Sequence, residues 1–418
     1  MRQDRPDRLA LAHLVVGVAM TLLVVLVRPL QGDPGVFMKI GNESAGGLVA
    51  YRDYAVEYPP LALVPIDLPR LLGGDSTEAY NLIFTLISLL LTLGTGAAVY
   101  WLARRRWSIE TPVNAMMLFT GLALAGAPLV LWRFDILPTF LTTLALVAYA
   151  ARQPVWSGLV LGFGVVSKLY PGVLVPVFAV AKLFERNVRQ AALVIGGAAI
   201  AVLVVMAETF LVAGNAAFSF LTYQQDRGVE IESVSGGIAL LMSVLGQARA
   251  TIGWGFGSWQ VSSPIIGSLA VPQLVLNAIL ISGLLVAGWI SFNRDVRNFG
   301  RIQPATLIRY SLATLLVLIL VDKVLSPQYL VWLLPFAALL QARQSVLLLA
   351  VVALTTLVYP LSFGSLVSID PAAVLVLNLR NILLLGYFAW TVWPAQAPAP
   401  WPDVAPDSER GYVREPAK

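Results

Sequence analysis

Acidic and aromatic residues are concentrated in one polar loop near the start of an otherwise apolar chain. The loop runs from Gln31 to Asp75 and contains Asp33, Glu57 and Tyr58. Carboxylates beside a membrane are costly unless they are solvated or have a function. A carboxylate in such a place can accept the proton of a hydroxyl group that attacks a substrate. We therefore interpret this loop as the external cover of a membrane-embedded active site and as the source of its reactive groups, with Asp33 as the candidate catalytic base.

Basic residues that could bind phosphate come from three later segments of the chain, and we assign that role to Lys168, Arg227 and Lys323. Cations at a membrane surface can hold a lipid phosphate. Other polar and aromatic residues fall on the same predicted external side and are candidates for binding substrate. These residues are Glu57, Tyr58, Arg133, Asp135, Tyr170, Glu232, Gln328 and Tyr329.

Each candidate also has a purely structural interpretation. Asp33 precedes Pro34, and an Asp N-cap followed by proline is a common helix start that this pattern alone favours. The cap and the catalytic role are compatible if one carboxylate oxygen stays free. Either Lys168 or Lys323 could simply extend to the membrane surface. The possible structural ion pairs are Arg133 with Asp135 and Arg227 with Glu232.

The composition predicts an integral membrane protein. Of its 418 residues, 58% are hydrophobic and only 12% are charged, which is outside the balance of soluble domains. Apolar runs recur that reach the roughly 20 residues needed to cross a hydrocarbon core. The chain has no cysteine and one histidine, His13, which excludes a thiolate nucleophile and a multi-histidine metal site. Phosphate-binding glycine loops are absent as well, and we expect neither a metal nor a cofactor.

The placement of arginines predicts the orientation, because Lys and Arg are enriched on cytoplasmic loops. We interpret Leu9–Val27 as an uncleaved anchor with a cytoplasmic N-terminus, and residues 394–418 as a disordered cytoplasmic tail. Residues 1–393 are predicted to form one all-α domain in the plasma membrane with about twelve transmembrane segments. The net charge of +5 is then explained by cytoplasmic arginines and not by nucleic acid binding.

Two external stretches are predicted to roof the site, residues 29–78 and residues 214–272. In the second stretch, Gly236–Leu245 is too short to span a membrane and is expected to form an interfacial helix. Predicted spans follow at Leu274–Phe292 and Leu330–Leu340.

A broken helix is predicted around Lys168. One long helix from Val155 to Lys182 would carry basic residues to the outside, against the general distribution. Proline disfavours helix in the residue before it, so we predict two short helices, Trp156–Ser167 and Pro171–Ala181. Such breaks occur where they line protein or a water-filled cavity. Arg380 lies inside the last predicted span, where an unpaired charge is energetically costly. We therefore expect it to pair with Glu208 or another helix.

The motifs resemble those of integral-membrane glycosyltransferases of the GT-C fold. The resemblance is closest to glycosyltransferase family 87, the DUF2029 type, which includes polyprenyl-phosphate-mannose-dependent α-mannosyltransferases. It extends from about Leu9 to Trp393. The motifs that carry it are, in order, Asp33 with Glu57-Tyr58-Pro59-Pro60-Leu61, Gly158 to Pro171, Arg227 to Ser233, and Lys323 to Trp332.

The resemblance implies transfer of one sugar, with mannose expected, from a polyprenyl-phosphate donor to a hydroxyl of a lipid or glycan acceptor. The reaction would take place outside the cytoplasm, in cell envelope biosynthesis. Asp33 matches the loop aspartate that acts as catalytic base in this family. The implied mechanism is a single inverting displacement in which cations stabilise the departing phosphate. Because His13 is the only histidine, any role of a histidine at the donor phosphate must fall to Lys168, Arg227 or Lys323.

A membrane transporter or lipid flippase is the alternative function. Transporters tend to place binding charges near the membrane midplane on discontinuous helices, often within internal repeats. Here the charges favour the outer face and the first loop, although the broken helix at Lys168 and the buried Arg380 keep this alternative open. A noncatalytic assembly factor would leave the clustered charges unexplained.

Overall fold

Helices dominate the structure, a computed structural model that describes residues 12–20, 33–225 and 227–393. The side chains of Asp33, Gln224 and Gln225 lie outside this description. Residues 12–20 form helix α1 within the predicted anchor Leu9–Val27, whose remaining residues lie outside the described part of the chain, as does the predicted tail 394–418. The α-helices that follow are α2 (Asp33–Ala45), α3 (Leu63–Gly73), α4 (Thr77–Arg104), α5 (Pro112–Ala125), α6 (Ala127–Leu131), α7 (Ile136–Ala150), α8 (Pro154–Val165), α9 (Leu174–Phe184), α10 (Val188–Ala213), α11 (Ser219–Gln225), α12 (Val234–Val244), α13 (Pro264–Phe299), α14 (Pro304–Val321), α15 (Leu334–Ala338), α16 (Ala342–Thr356), α17 (Phe363–Val367) and α18 (Pro371–Val392).

Short 3-10 and π-type segments interrupt these helices, at Pro60–Ala62, Tyr170–Val173, Gly214–Phe218, Pro327–Leu333 and Leu357–Leu361. Two antiparallel strands, β1 (Thr251–Gly255) and β2 (Ser258–Ser262), form a hairpin.

Within the described residues, six helical segments are long and apolar enough to cross a membrane. They are Thr77–Arg104, Val188–Tyr223, Pro264–Phe299, Pro304–Val321, Ala342–Leu361 and Pro371–Val392. This confirms the predicted all-α polytopic membrane protein, whereas the total of about twelve segments stays a prediction. The most apolar part of α14 is 78% buried and that of α13 only 6%, so α14 lies at the centre and α13 faces outward towards lipid.

The break predicted near Lys168 is present. Helix α8 ends at Val165, a 3-10 turn occupies Tyr170–Val173, and α9 begins at Leu174. Helix α8 packs closely on α10. Glycine at position 158 permits this contact, since a Cβ there would clash with the carbonyl oxygen of Val194. This close contact lets the short α8 hold Lys168 at a fixed place in the bundle.

Two predicted spans differ from the structure. Leu330–Leu340 does not form a span but continues a 3-10 segment into the five-residue α15, with Pro327 and Pro335 at the starts of these two pieces. Proline removes a backbone donor and interrupts helix, which explains the irregular path of this buried segment. The span predicted at Leu274 begins already at Pro264, directly after the hairpin.

The hairpin lies within the predicted external stretch 214–272, and sequence analysis did not foresee it. Its turn places Phe256 and Gly257 at positive φ, +49° and +68°. A Cβ at Gly257 would lie 2.9 Å from Oε2 of Glu57, so glycine at this position also permits close approach to the first loop. The N–H of Val261 donates to the carbonyl oxygen of Val229, which attaches β2 to the segment before α12.

Candidate active site

A cavity of about 940 Å³ lies where the first loop, the break after α8, the segment before α12 and the hairpin meet. Most residues predicted to form the site line this cavity. They are Glu57, Tyr58, Arg133, Lys168, Tyr170, Arg227, Glu232, Gln328 and Tyr329. Two predicted residues, Asp135 and Lys323, do not line it.

Asp33 begins helix α2 at the edge of this cavity. The three residues that follow it, Pro34, Gly35 and Val36, all line the cavity. The side chain of Asp33 lies outside what the structure describes. Asp33 is thus the first residue of α2 and not the residue before the helix, and its catalytic role stays a prediction.

Lys168 is held between a carboxylate and three aromatic rings. Its Nζ lies 2.7 Å from Oδ1 of Asp135, a residue that is 1% exposed. The same nitrogen lies 4.9 Å from the ring centroid of Phe134, 5.5 Å from that of Tyr329 and 5.7 Å from that of Trp332. Burial lowers the pKa of the Lys168 ammonium, and the charge of Asp135 opposes this shift. Asp135 thus favours the charged form of Lys168.

Three stacked rings connect residues 323–332, called the late segment below, to the break after α8. The ring of Trp332 stacks on Tyr170 with centroids 4.0 Å apart and on Tyr329 with centroids 4.2 Å apart. The Nε1–H of Trp332 donates to Oδ1 of Asp135 at 2.8 Å. These contacts order the position of Tyr329, which the 3-10 conformation carries into the cavity.

Two arginines complete the positive side of the cavity. Arg133 and Arg227 are each 8% exposed, and the guanidinium of Arg133 lies 5.1 Å from the ring centroid of Tyr359. The carboxylate of Glu57 lines the same cavity. Burial raises the pKa of the Glu57 carboxyl, while a hydrogen bond with Tyr58 and the charge of Arg227 lower it.

Glu230 is a cavity residue that sequence analysis did not single out. The Oγ of Ser326 lies 2.8 and 3.1 Å from its two carboxylate oxygens. The backbone N–H of Glu230 also donates to the carbonyl oxygen of Lys323 at 2.9 Å. The segment before α12 and the late segment are therefore joined here. Its spacing of two residues from Glu232 is a signal that could have identified it, since side chains two residues apart on an extended backbone point to the same side.

Arg380 pairs with Glu232, in the segment before α12. Of the predicted options, Glu208 or another helix, the pairing with Glu208 is wrong. Nη2 of Arg380 lies 3.0 Å from the carbonyl oxygen of Glu232 and 3.3 Å from its Oε2. Both side chains are buried, with exposures of 0% and 2%. Glu232 had been proposed to bind substrate, and at the cavity wall its carboxylate already balances the charge of this arginine.

The arrangement is suited to binding an anion that carries an apolar chain. Four basic residues line the cavity, Lys39, Arg133, Lys168 and Arg227. Charge-assisted hydrogen bonds from such groups to phosphate are strong. Leu318 and Ile319 of α14 line the same cavity and provide apolar surface. Preorganised cations of this kind stabilise negative charge that develops on a leaving group.

The fold is that of a multi-pass membrane protein, and it encloses a cavity lined by charged and aromatic residues. The chain belongs to glycosyltransferase family 87, whose family model matches residues 56–321, more than half of its length. The protein is therefore a membrane glycosyltransferase, as the motifs predicted. The matched segment contains Lys168 and Arg227, begins after Asp33 and ends before Lys323.

A solved structure with some overall similarity is the oligosaccharyltransferase of Archaeoglobus fulgidus, crystallised with a tethered acceptor peptide containing the NVT sequon. The two chains share 13% identity with a TM-score of 0.38, over 91% of this chain and 55% of that one. This chain thus spans about half the length of the archaeal protein. No curated protein matches the chain.

Proposed function

We propose that this glycosyltransferase transfers mannose from a polyprenyl-phosphate donor to a hydroxyl of a lipid or glycan acceptor on the extracytoplasmic side of the plasma membrane. The observation that supports the donor is the convergence of Arg133, Lys168 and Arg227 on one cavity that also has apolar lining. Cations suit the phosphate and the apolar surface suits the polyprenyl chain. Lys323 takes no part in the proposed donor site because it does not line the cavity.

The proposed reaction is a single displacement with inversion at the anomeric carbon. The Asp33 carboxylate takes the acceptor proton as the acceptor oxygen bonds to the anomeric carbon, on the face opposite the phosphate. The bond from that carbon to the phosphate oxygen breaks, and its electron pair leaves with the polyprenyl phosphate. Lys168 and Arg227 stabilise the departing charge. If Asp33 serves only as a cap, Glu57 and then Asp322, which both line the cavity, are the next candidates for the base.

The test uses the full chain in lipid nanodiscs, incubated with radiolabelled polyprenyl-phosphate mannose and a set of lipid and glycan acceptors. We expect labelled mannose in the acceptor fraction, an inverted anomeric configuration and release of polyprenyl phosphate. Transfer from a nucleotide sugar with none from the polyprenyl donor would contradict the proposed donor. In a parallel experiment with the protein in sealed lipid vesicles, movement of the lipid-linked sugar across the membrane without any transfer would favour the transporter alternative.

A further inference from the structure

An aromatic surface extends along the cavity from the hairpin to Arg133. It is formed by four cavity-lining residues that we call the aromatic wall, Trp254, Trp259, Phe363 and Tyr359. Neighbouring rings touch in order, with centroids 5.5 Å apart for Trp254 and Trp259, 6.5 Å for Trp259 and Phe363, and 5.1 Å for Phe363 and Tyr359. The wall ends at the guanidinium of Arg133, which lies 5.1 Å from the Tyr359 ring. It therefore connects the outer part of the cavity with its positive end.

Trp254 forms the outer end of the wall and is 60% exposed although it lines the cavity. It is not a loose side chain, because it stands directly opposite Trp259 in the register of the hairpin. Cross-strand aromatic pairs stabilise a hairpin and restrict the orientation of both rings. The hairpin thus presents the Trp254 indole, in contact with Trp259, to solvent at the cavity.

The shape and polarity of the wall match a carbohydrate. One face of a pyranose ring presents C–H bonds, whose hydrogens are attracted to the negative face of an aromatic ring. The hydroxyl groups at the edges of the ring need hydrogen-bond partners, and Ser258 and Glu230 line the cavity near the hairpin. Carboxylate and hydroxyl oxygens accept hydrogen bonds from such hydroxyls.

We propose that the aromatic wall is the acceptor subsite and that the acceptor is a glycan, one of whose sugar rings stacks on Trp254. This inference rests on the proposed function, since the acceptor hydroxyl must reach the donor sugar beside the cations. A sugar held on Trp254 directs the next sugar of the glycan along the wall towards Arg133. The wall thereby positions the hydroxyl that is glycosylated.

The test compares Trp254→Ala and Trp254→Phe with the unmodified protein in nanodiscs. We expect Trp254→Ala to raise the KM for a glycan acceptor roughly tenfold, as loss of an aromatic anchor commonly does, and to leave the KM for the polyprenyl-phosphate donor unchanged. Trp254→Phe should retain most acceptor affinity, because it keeps an aromatic face. Trp156→Ala is the matched control, since Trp156 is 61% exposed but does not line the cavity.

A second measurement does not depend on the donor. Saturation-transfer NMR with soluble mannotriose should show binding to the unmodified protein and to Trp156→Ala, and loss of binding in Trp254→Ala. Equal acceptor KM and equal mannotriose binding in Trp254→Ala would overturn the subsite. A loss of thermal stability in nanodiscs without a change in acceptor KM would also overturn it, and would identify Trp254 as an anchor in the lipid headgroups. If mannotriose binds through Trp254 but no polyprenyl-phosphate sugar is used, the donor proposal fails and the subsite stands.

Discussion

Nζ of Lys168 lies 2.7 Å from Oδ1 of Asp135, and only the lysine of this pair lines the cavity. Trp332 donates to the same carboxylate oxygen. Asp135 was predicted to bind substrate, and we now propose that it acts through Lys168 as a positioning residue. It holds the ammonium in place and, through its charge, opposes the lowering of the Lys168 pKa by burial.

The first prediction concerns Asp135→Asn, which keeps the shape of the side chain and removes its charge. Hydrogen bonds to charged groups are worth about 1.5–3 kcal/mol, so donor affinity should fall roughly tenfold. The pKa of Lys168, which also faces Arg133 and Glu57, should fall further below its ordinary value. Activity that requires the charged lysine is lost as pH rises through that pKa, so the variant should lose activity at a lower pH than the unmodified protein.

Asp53→Asn is the matched control, because Asp53 forms an ion pair with Arg52 away from the cavity. The measurement is the pH dependence of kcat/KM for the donor. If Asp135→Asn and the unmodified protein lose activity at the same alkaline pH, Asp135 has only a packing role.

The second prediction is that Asp33→Asn abolishes transfer but leaves folding and donor binding intact. Asparagine caps a helix about as well as aspartate, so the structural role is kept. Loss of a general base commonly reduces the rate about 10²–10⁴-fold. Transfer rate, thermal stability and donor affinity are measured on the same preparation. Near-normal transfer would make Asp33 a helix cap and direct the search for the base to Glu57.

The third prediction separates the three basic residues first assigned to the donor phosphate. Lys168→Ala and Arg227→Ala should each weaken donor binding by roughly tenfold or more, since each removes a charged hydrogen-bond donor from the cavity. Lys323→Ala should have a much smaller effect, because its side chain does not line the cavity. Binding of polyprenyl phosphate to folded variants measures this directly. An equal loss in all three variants would return Lys323 to the donor site.

The fourth prediction concerns the buried pair of Glu232 and Arg380. Arg380→Met leaves a buried carboxylate without its cation, which typically costs about 3–5 kcal/mol. We expect a clear loss of yield and of Tm. The double variant Glu232→Gln with Arg380→Met should recover much of this loss, because neither charge then remains. A double variant as unstable as the single one would show that the two side chains are not coupled.

The fifth prediction is a pH dependence of stability. Burial raises the pKa of Asp67 on α3 to about 6. A raised pKa in the folded state contributes stability that is present below the ordinary carboxyl pKa and is lost as pH rises through about 6. Asp67→Asn stays neutral, so its Tm should exceed that of the unmodified protein above this pH, by at most about 4 °C. The difference should vanish under acidic conditions.

Asp53→Asn also serves as the control for this pH profile, because hydrogen bonds from Arg52 lower the pKa of Asp53 to about 2. It should therefore not gain stability at neutral pH. A constant difference in Tm between Asp67→Asn and the unmodified protein at all pH values would show that Asp67 does not titrate in this range.

Local signals explain which parts of the structure could be predicted. The break at Lys168 follows from Pro171 and from the distribution of basic residues, both visible within a short window. The pairing of Arg380 with Glu232 joins residues far apart in sequence, and several carboxylates were equally good candidates. The selection of one partner depends on how α18 packs against the segment before α12, which no local pattern encodes.

The hairpin carried a signal that the apolar background obscured. Its strands place Trp254 and Trp259 on either side of the Phe256-Gly257 turn, and a two-residue turn ending in glycine is typical of hairpins. In a chain this rich in apolar residues, short alternating runs are hard to distinguish from the ends of spans. The contacts of the Asp135 side chain could likewise not be predicted from the sequence, since they depend on where the fold places Trp332.

The hairpin also has a consequence for how such enzymes can diversify. Its strands pair with each other and with the short segment before α12, whereas Lys168 is fixed by helices packed in the bundle. Residues 251–262 contribute Trp254 and Trp259 to the cavity, whereas its cationic end comes from other segments of the chain. The proposed acceptor subsite therefore predicts that a chimera carrying the hairpin of another family member shows a changed acceptor preference and keeps the donor of this chain.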